Sequence, residues 1–452
     1  LSTDKPPVLV FWFLAACIVA VFLVRSQLFA YVGDESFHLV AAQLINAGKS
    51  PYTDLFYQHP PLYAYLIAGL FHLTETWRIA HAFSALALGG SVLFACCYAR
   101  DLFVEDYARR MVVAFTLIFF GANCYALIFG TTGLPYGFCL LCSMAALYFS
   151  RRGRYPHSLA AGLFAGAGAA SNLLTLPLLA VLLLRILIRD KWRVLIFIGG
   201  VGVACAPLLI LFAKSPSDVV FNLVGYHLGN RPNLGWRFNV GQVIAWFGSV
   251  QGAILTLLAL IANVWRRDDE LRWCSWTALA LIVLISSVPT TSAFYFLLAL
   301  PFLIVLGAVG AVELSRRAVI NRDVAAALLI ALYLLGLSGM KYVWRWQAPY
   351  ADYRDVETIA RELQACTSDR GSFYGFEALY FASRRLPPPT LENRFNPHSQ
   401  ADEMLKNGEF DAVCIGSTDP RVKEFKLLER YATNKTVSLG GYPMYVLCDK
   451  RP

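Results

Sequence analysis

Charge is scarce in this chain. Only 15% of its 452 residues are charged, against 57% hydrophobic, and the mean hydropathy is +0.53. A soluble globular chain carries about a quarter charged residues, so that class is excluded. No series of segments alternates apolar and polar positions as the strands of a membrane barrel must. The basic residues form no single patch, so a net charge of +9 does not mark a nucleic-acid binder. No second cysteine pair accompanies Cys139-x-x-Cys142, which leaves a zinc site short of ligands. The first apolar run, 8–24, lacks a small-residue cleavage site before its polar flank and reads as a retained span, not a signal peptide.

Apolar runs near twenty residues long are what the chain has in abundance, and about twenty residues of helix cross the roughly 30 Å of hydrocarbon in a bilayer. Backbone groups in lipid must pair within their own segment, which demands helices. The runs place about eleven spans, at 8–30, 77–98, 111–129, 135–149, 159–172, 173–188, 194–212, 240–263, 274–288, 294–312 and 324–340. Basic residues crowd alternate linkers, such as Arg109/Arg110, Arg151/Arg152/Arg154, Arg266/Arg267 and Arg316/Arg317. The other linkers hold few: Lys49, Arg78, Lys214, Arg231 and Arg237, with Arg25 at a span end. The positive-inside rule then puts the N-terminus in the cytoplasm and Asp34 outside. The expected fold is an all-α polytopic membrane domain, residues 1–340, followed by a small α/β extracytoplasmic domain, residues 341–452. Within that tail, Tyr353–Cys366 has helical spacing, as does 420–431, while 411–416, 436–439 and 444–448 read as strands. Cys366, Cys414 and Cys448 could pair there in an oxidising compartment, without the sequence choosing a bridge.

The linker 31–76 is long for a connector. Phe37, Val40, Ala41, Leu44 and Ile45 share one helical face, so this segment reads as an amphipathic helix lying along the membrane surface, with Asp34 placed to cap it. Two adjacent acids, Asp34 and Glu35, exceed what capping needs and make a candidate catalytic pair. His59 precedes Pro60 and Pro61, which suit the first turn of the next helix, and it faces the same compartment. Arg78, Arg231 and Arg237 stand on the outer side, where a guanidinium can hold a phosphate.

The order of a span, Gly33-Asp34-Glu35, a surface helix, His59-Pro60-Pro61-Leu62 and another span resembles the GT-C superfamily of membrane glycosyltransferases. It looks most like the branch of protein O-mannosyltransferases and the lipid A aminoarabinose transferase. The likeness covers the first seven or so spans in layout. Ser292–Pro301, with Tyr295 in its aromatic pair, is similar to a later family segment. The resemblance implies a polyprenyl-phosphate-sugar donor, chemistry on the outer face and Asp34 in the catalytic acid position. Relatives carry a second Asp before a proline at the outer end of the third and fourth spans. Here the stretch is Thr131-Thr132-Gly133-Leu134-Pro135. A frequent Lys is replaced by Ser171-Asn172, and the basic residue before the aromatic pair by Ser292-Ala293.

The reading is a glycosyltransferase of the multi-pass type, set in the bacterial inner membrane. A single inverting displacement would deliver the sugar to an acceptor hydroxyl, with Asp34 as general base. Asp34 and Glu35 are the catalytic candidates; His59, Arg78, Arg231, Arg237 and Tyr295 are the substrate-binding ones. The acceptor is a lipid, a glycan or a protein. The sequence establishes no cofactor; a divalent metal stays open but has weak support, since Gly133 replaces the second outer acid. The alternatives are a transporter or flippase of a lipid-linked substrate, and a non-catalytic scaffold. No copy of the 31–62 pattern recurs in the second half, and few acids lie deep in the spans.

Overall fold

The computed structural model describes residues 8–28, 30–31, 33–231, 233–347, 350–351, 353–368 and 371–451. The chain is a multi-pass helical membrane protein with a small sheet-bearing domain at its C-terminal end. Among the described residues, five helical stretches are long and apolar enough to cross a bilayer: Phe11–Leu28, Trp77–Arg100, Asp269–Ser287, Ala293–Arg317 and Arg322–Val343. Two further pairs, Lys191–Ala204 with Ala206–Lys214 and Trp236–Phe247 with Val250–Trp265, bend by 65° and 77°. Each of the eleven expected spans corresponds to a helix or a broken helix. By length, however, five cross alone, or seven if each bent pair is one span. The difference has a local cause. Tyr136–Ser150 and Tyr155–Ala169 have 15 residues each, about 22 Å of helix at 1.5 Å per residue, short of roughly 30 Å. Asn123 and Asn172 stop runs that are apolar on both sides, because their side chains accept from the N–H of Ala126 and Leu174 and so start new helices.

Small residues let the helices touch. Helix Tyr155–Ala169 lies so close to Lys191–Ala204 that a Cβ on Gly162 would overlap the Phe197 carbonyl oxygen, and one on Gly200 would come within 2.5 Å of the Leu159 carbonyl oxygen. Lipid gives no hydrophobic drive between helices, so this backbone approach is where their attraction lies.

The helix Trp77–Arg100 links the two ends of the bundle. At its far end lie the basic linkers. Arg151, Arg185 and Arg189 converge on Glu270 at 3.7, 2.5 and 2.9 Å, and Arg152 pairs with Asp101 at 3.3 Å. At its near end, Trp77 packs against Tyr353 of the C-terminal domain, the rings tilted by 36° with centres 4.6 Å apart. The thinly charged linkers and the tail thus share one end.

The tail contains a four-stranded sheet in the order Phe373–Tyr374, Ala412–Gly416, Tyr442–Lys450, Tyr431–Leu439. The first pair is parallel, with Phe373 opposite Ala412, and the others are antiparallel, with Cys414 opposite Val446 and Thr436 opposite Tyr445. Helix Tyr353–Cys366 has the bounds expected from its spacing. The expected helix over 420–431 is two short turns, Arg421–Glu424 and Leu427–Arg430, because Lys426 between them takes a left-handed φ of 50°. Cys366 is bonded to Cys448, tying helix to sheet, and Cys414 is a buried free thiol.

The segment expected to rest on the membrane surface does form a helix, Glu35–Asn46, but it is enclosed. Glu35 through Leu44 are all buried. Phe37, Val40 and Leu44 share one apolar cluster with Val356, Ile359 and Leu379 of the tail. The polar-faced positions are covered too, because the C-terminal domain closes over the helix. A short antiparallel pair, Ala30 with Ala351 and Tyr31 with Tyr350, adds a backbone link between them.

Gly162→Leu is expected to push apart the helices that meet at Phe197. Overpacking of this kind costs about 1–3 kcal/mol or more, and should lower the melting temperature of the purified protein in detergent. Gly199→Ala, with nothing within 4 Å of the added carbon, should leave it unchanged.

Candidate functional site

The two adjacent acids face different surroundings. Asp34 stands at the N-cap of helix Glu35–Asn46, yet its carboxylate makes no capping hydrogen bond. The capping role is therefore unfilled. Glu35, one residue on, points inward and is 1% exposed. Its Oε1 lies 2.6 Å from His81 Nε2, and its Oε2 accepts the Gly133 N–H at 3.2 Å. His81 Nδ1 lies 2.7 Å from the Ser26 carbonyl oxygen. A carbonyl only accepts, so Nδ1 carries a hydrogen. One further proton then sits between Nε2 and Oε1, and the pair is net neutral whichever atom holds it. Both oxygens of Glu35, expected as a catalytic partner of Asp34, are engaged inside the protein. A Cβ on residue 133 would lie 2.9 Å from Glu35 Cγ. That close approach explains why glycine stands there.

Around Asp34 gather groups from three distant parts of the chain. Burial raises its carboxyl above the ordinary value of 3.8, while Arg394 and Arg231 pull it down and Glu377 pushes it up. Arg231 donates to the Tyr295 hydroxyl at 2.8 Å. His59 stacks on Phe37 with ring centres 5.4 Å apart and lies 5.0 Å from His38 and 6.5 Å from His227. Burial, then His38, His227 and Arg231, hold His59 well below the usual imidazole range, so it is neutral. Burial likewise pushes His38 down to about 3, and its Nδ1 lies 2.7 Å from the Tyr57 hydroxyl. His227 Nε2 lies 2.9 Å from the Gln58 carbonyl oxygen. The loop carrying His59 is therefore held from both sides.

The structure thus groups Asp34, His59, Arg231 and Tyr295, with Arg231 the member near each of the other three. Arg78 and Arg237 lie elsewhere. Both are exposed, and each lays its guanidinium over the ring of its own neighbour, Trp77 at 4.8 Å and Trp236 at 5.7 Å. Two residues beside this group escape a reading of the sequence: His227, next to His59, and Arg394, from the tail, next to Asp34. The only available signal for Arg394 was its loop, a polar stretch with one aromatic after Pro387-Pro388-Pro389. Among the described residues no group of three His, Cys, Asp or Glu side chains has the arrangement of a metal site.

No protein-family model and no curated protein matches this sequence. Solved structures do match. The crystal structure of ArnT from Cupriavidus metallidurans in the apo state superposes with a TM-score of 0.66 at 16% identity, covering 96% of this chain and 97% of that one. The same protein bound to undecaprenyl phosphate gives a TM-score of 0.65 at 15% identity over the same shares. Membrane bundle and tail domain together therefore have the ArnT fold.

Removing one partner of a buried pair costs about 3–5 kcal/mol. Glu35→Ala is expected to destabilise the protein by that order, read by chemical denaturation in detergent micelles. Asp34→Asn breaks no such pair and should cost under about 1 kcal/mol. Equal losses in the two variants would contradict this division between the acids.

Proposed function

We propose that this chain, which has the ArnT fold, is a membrane glycosyltransferase that moves a sugar from a polyprenyl-phosphate donor to an acceptor hydroxyl. The observation that carries the reading is a carboxylate without a capping bond, flanked by two arginines, at the tail-bearing end of the bundle. The ArnT structure bound to undecaprenyl phosphate makes a polyprenyl phosphate the natural donor carrier.

The chemistry is one displacement. The acceptor oxygen forms a bond to the anomeric carbon while the bond from that carbon to the phosphate oxygen breaks. The acceptor proton passes to Asp34, and the bonding pair leaves with the polyprenyl phosphate. The anomeric centre inverts. Arg231, oriented by the Tyr295 hydroxyl, meets charge growing on the leaving phosphate. A neutral His59 serves as a hydrogen-bonding group for sugar or phosphate, not as a second cation. Arg78 and Arg237 stand outside this mechanism. The N-terminus lies in the cytoplasm and the site faces the outside; the clustered arginines around Glu270 at the opposite end and the Cys366–Cys448 bridge both support that orientation.

One observation keeps a transport reading in view: two helix pairs broken at 65° and 77°, as helices around transporter sites are. A single assay separates the two. Purified protein in liposomes is given radiolabelled undecaprenyl-phosphate sugars and a membrane extract as acceptor. The expected result is a labelled covalent product, falling about 100- to 10,000-fold with Asp34→Asn. Movement of label across the bilayer with no product would favour transport, and transfer unchanged in the variant would remove Asp34 as base. A base works only when deprotonated, and burial lifts this carboxyl above 3.8. The rate should therefore fall as pH drops through a midpoint above the ordinary Asp range and level off above it.

A further inference from the structure

Three consecutive side chains of the C-terminal domain reach across to the first outer loop. Glu392 Oε1 accepts the Phe56 N–H at 2.9 Å. Asn393 Nδ2 donates to Gln58 Oε1 at 2.6 Å. The Arg394 guanidinium donates to the Gly33 carbonyl at 3.0 Å. The first two grip the segment that leads into His59, and the third grips the residue before Asp34. Arg394 is itself held, since its backbone N–H and its Nε both donate to Glu377 Oε1, at 2.6 and 3.2 Å. Glu377 is 1% exposed and opens helix Glu377–Ser383. Phe395 continues the contact, edge-on to Phe37 with ring centres 6.4 Å apart.

We propose that Arg394 is a positioning residue for Asp34, so that the C-terminal domain completes the site in the membrane domain. The proposal rests on the reading of Asp34 as the base. Two effects follow from the geometry. The bond to the Gly33 carbonyl fixes the backbone from which the Asp34 side chain springs. The guanidinium also sets a permanent positive charge beside a carboxylate that enclosure by protein would otherwise favour in its protonated form. Arg231 acts from the membrane domain in the same sense, while Glu377 and the Tyr226 hydroxyl face Asp34 without adding positive charge. Arg394 therefore shares with Arg231 the task of keeping Asp34 ionised, and it does so from a domain joined to the site only by folding.

The test follows the protonation of Asp34 directly. Full-length protein in lipid nanodiscs is titrated by infrared difference spectroscopy, and the protonated-carboxyl band of Asp34 is assigned by its loss in Asp34→Asn. Removing a neighbouring cation disfavours the carboxylate, so Arg394→Gln should raise the midpoint by about one pH unit or more. Arg394→Lys should restore most of the shift. Asn393→Ala loosens the same loop without removing a charge, and should leave the midpoint in place. An unmoved midpoint in Arg394→Gln, or an equal shift in Asn393→Ala, would overturn the proposal. The readout needs no substrate, so it stands apart from the outcome of the transfer assay.

Discussion

The contact between Glu35 and His81 sets the geometry of everything around Asp34. It joins three elements: Glu35 from the loop helix, His81 from the helix Trp77–Arg100, and through Nδ1 the Ser26 carbonyl of the first span. Gly133 adds a fourth through its N–H. Burying a carboxylate is costly unless it is paired and hydrogen-bonded. Here the pair shares one proton and is neutral in either form, which makes its burial tolerable. Successive residues of a helix point about 100° apart. Once Glu35 is locked inward at the start of the helix, Asp34 just before it has its direction set as well. The outward acid is placed by the inward one.

Enclosure and charge then pull against each other at Asp34. Packing by the tail domain takes water from the carboxylate and favours its protonated form, while Arg231 and Arg394 favour the anion. The base role proposed for Asp34 calls for such an opposition. Fully solvated, the carboxylate would be a weak acceptor of a hydroxyl proton; buried alone, it would be protonated and useless. The arginines come from different domains, and the Tyr295 hydroxyl and the Glu377 carboxylate orient them. Histidines close the other side in neutral form, so positive charge is confined to the two guanidiniums. That arrangement suits an anionic leaving group more than an anionic acceptor.

Local pattern in the sequence was enough to indicate the loop helix, the acid pair, His59 before its prolines and the helix Tyr353–Cys366, because each rests on spacing within a few residues. Contacts across long stretches of chain left no such mark. Arg394 bonds to a residue 361 positions away, and nothing in Leu391-Glu392-Asn393-Arg394-Phe395 distinguishes it from any polar loop. The amphipathic pattern of the loop helix was legible, but not what would cover its second face. The helix bends do leave a local mark: Pro207 opens the helix after the break at Ala204, and Gly248-Ser249 follow Phe247, where the Ser249 hydroxyl accepts the Gly252 N–H and starts a new helix. Arg78 and Arg237 carry the same side chain as Arg231, and what separates them from it is their exposure and the neighbouring tryptophan ring over which each guanidinium lies.

Gly133 sharpens the comparison with the family that the first loop resembles. An aspartate there, as in relatives, would place a Cβ against Glu35 Cγ and a second carboxylate beside a buried one. Sterics and like-charge repulsion both oppose that. The departure at 133 is thus linked to the fate of Glu35, which fills the space and takes the Gly133 N–H for itself. An acid is still delivered to that corner, from the helix start and not from the loop before Pro135. It is held there by an imidazole within the protein. Under the proposed reaction, charge neutralisation at the phosphate then falls to Arg231 and to whatever accompanies the donor, with Arg394 on the side of Asp34 that faces the tail domain.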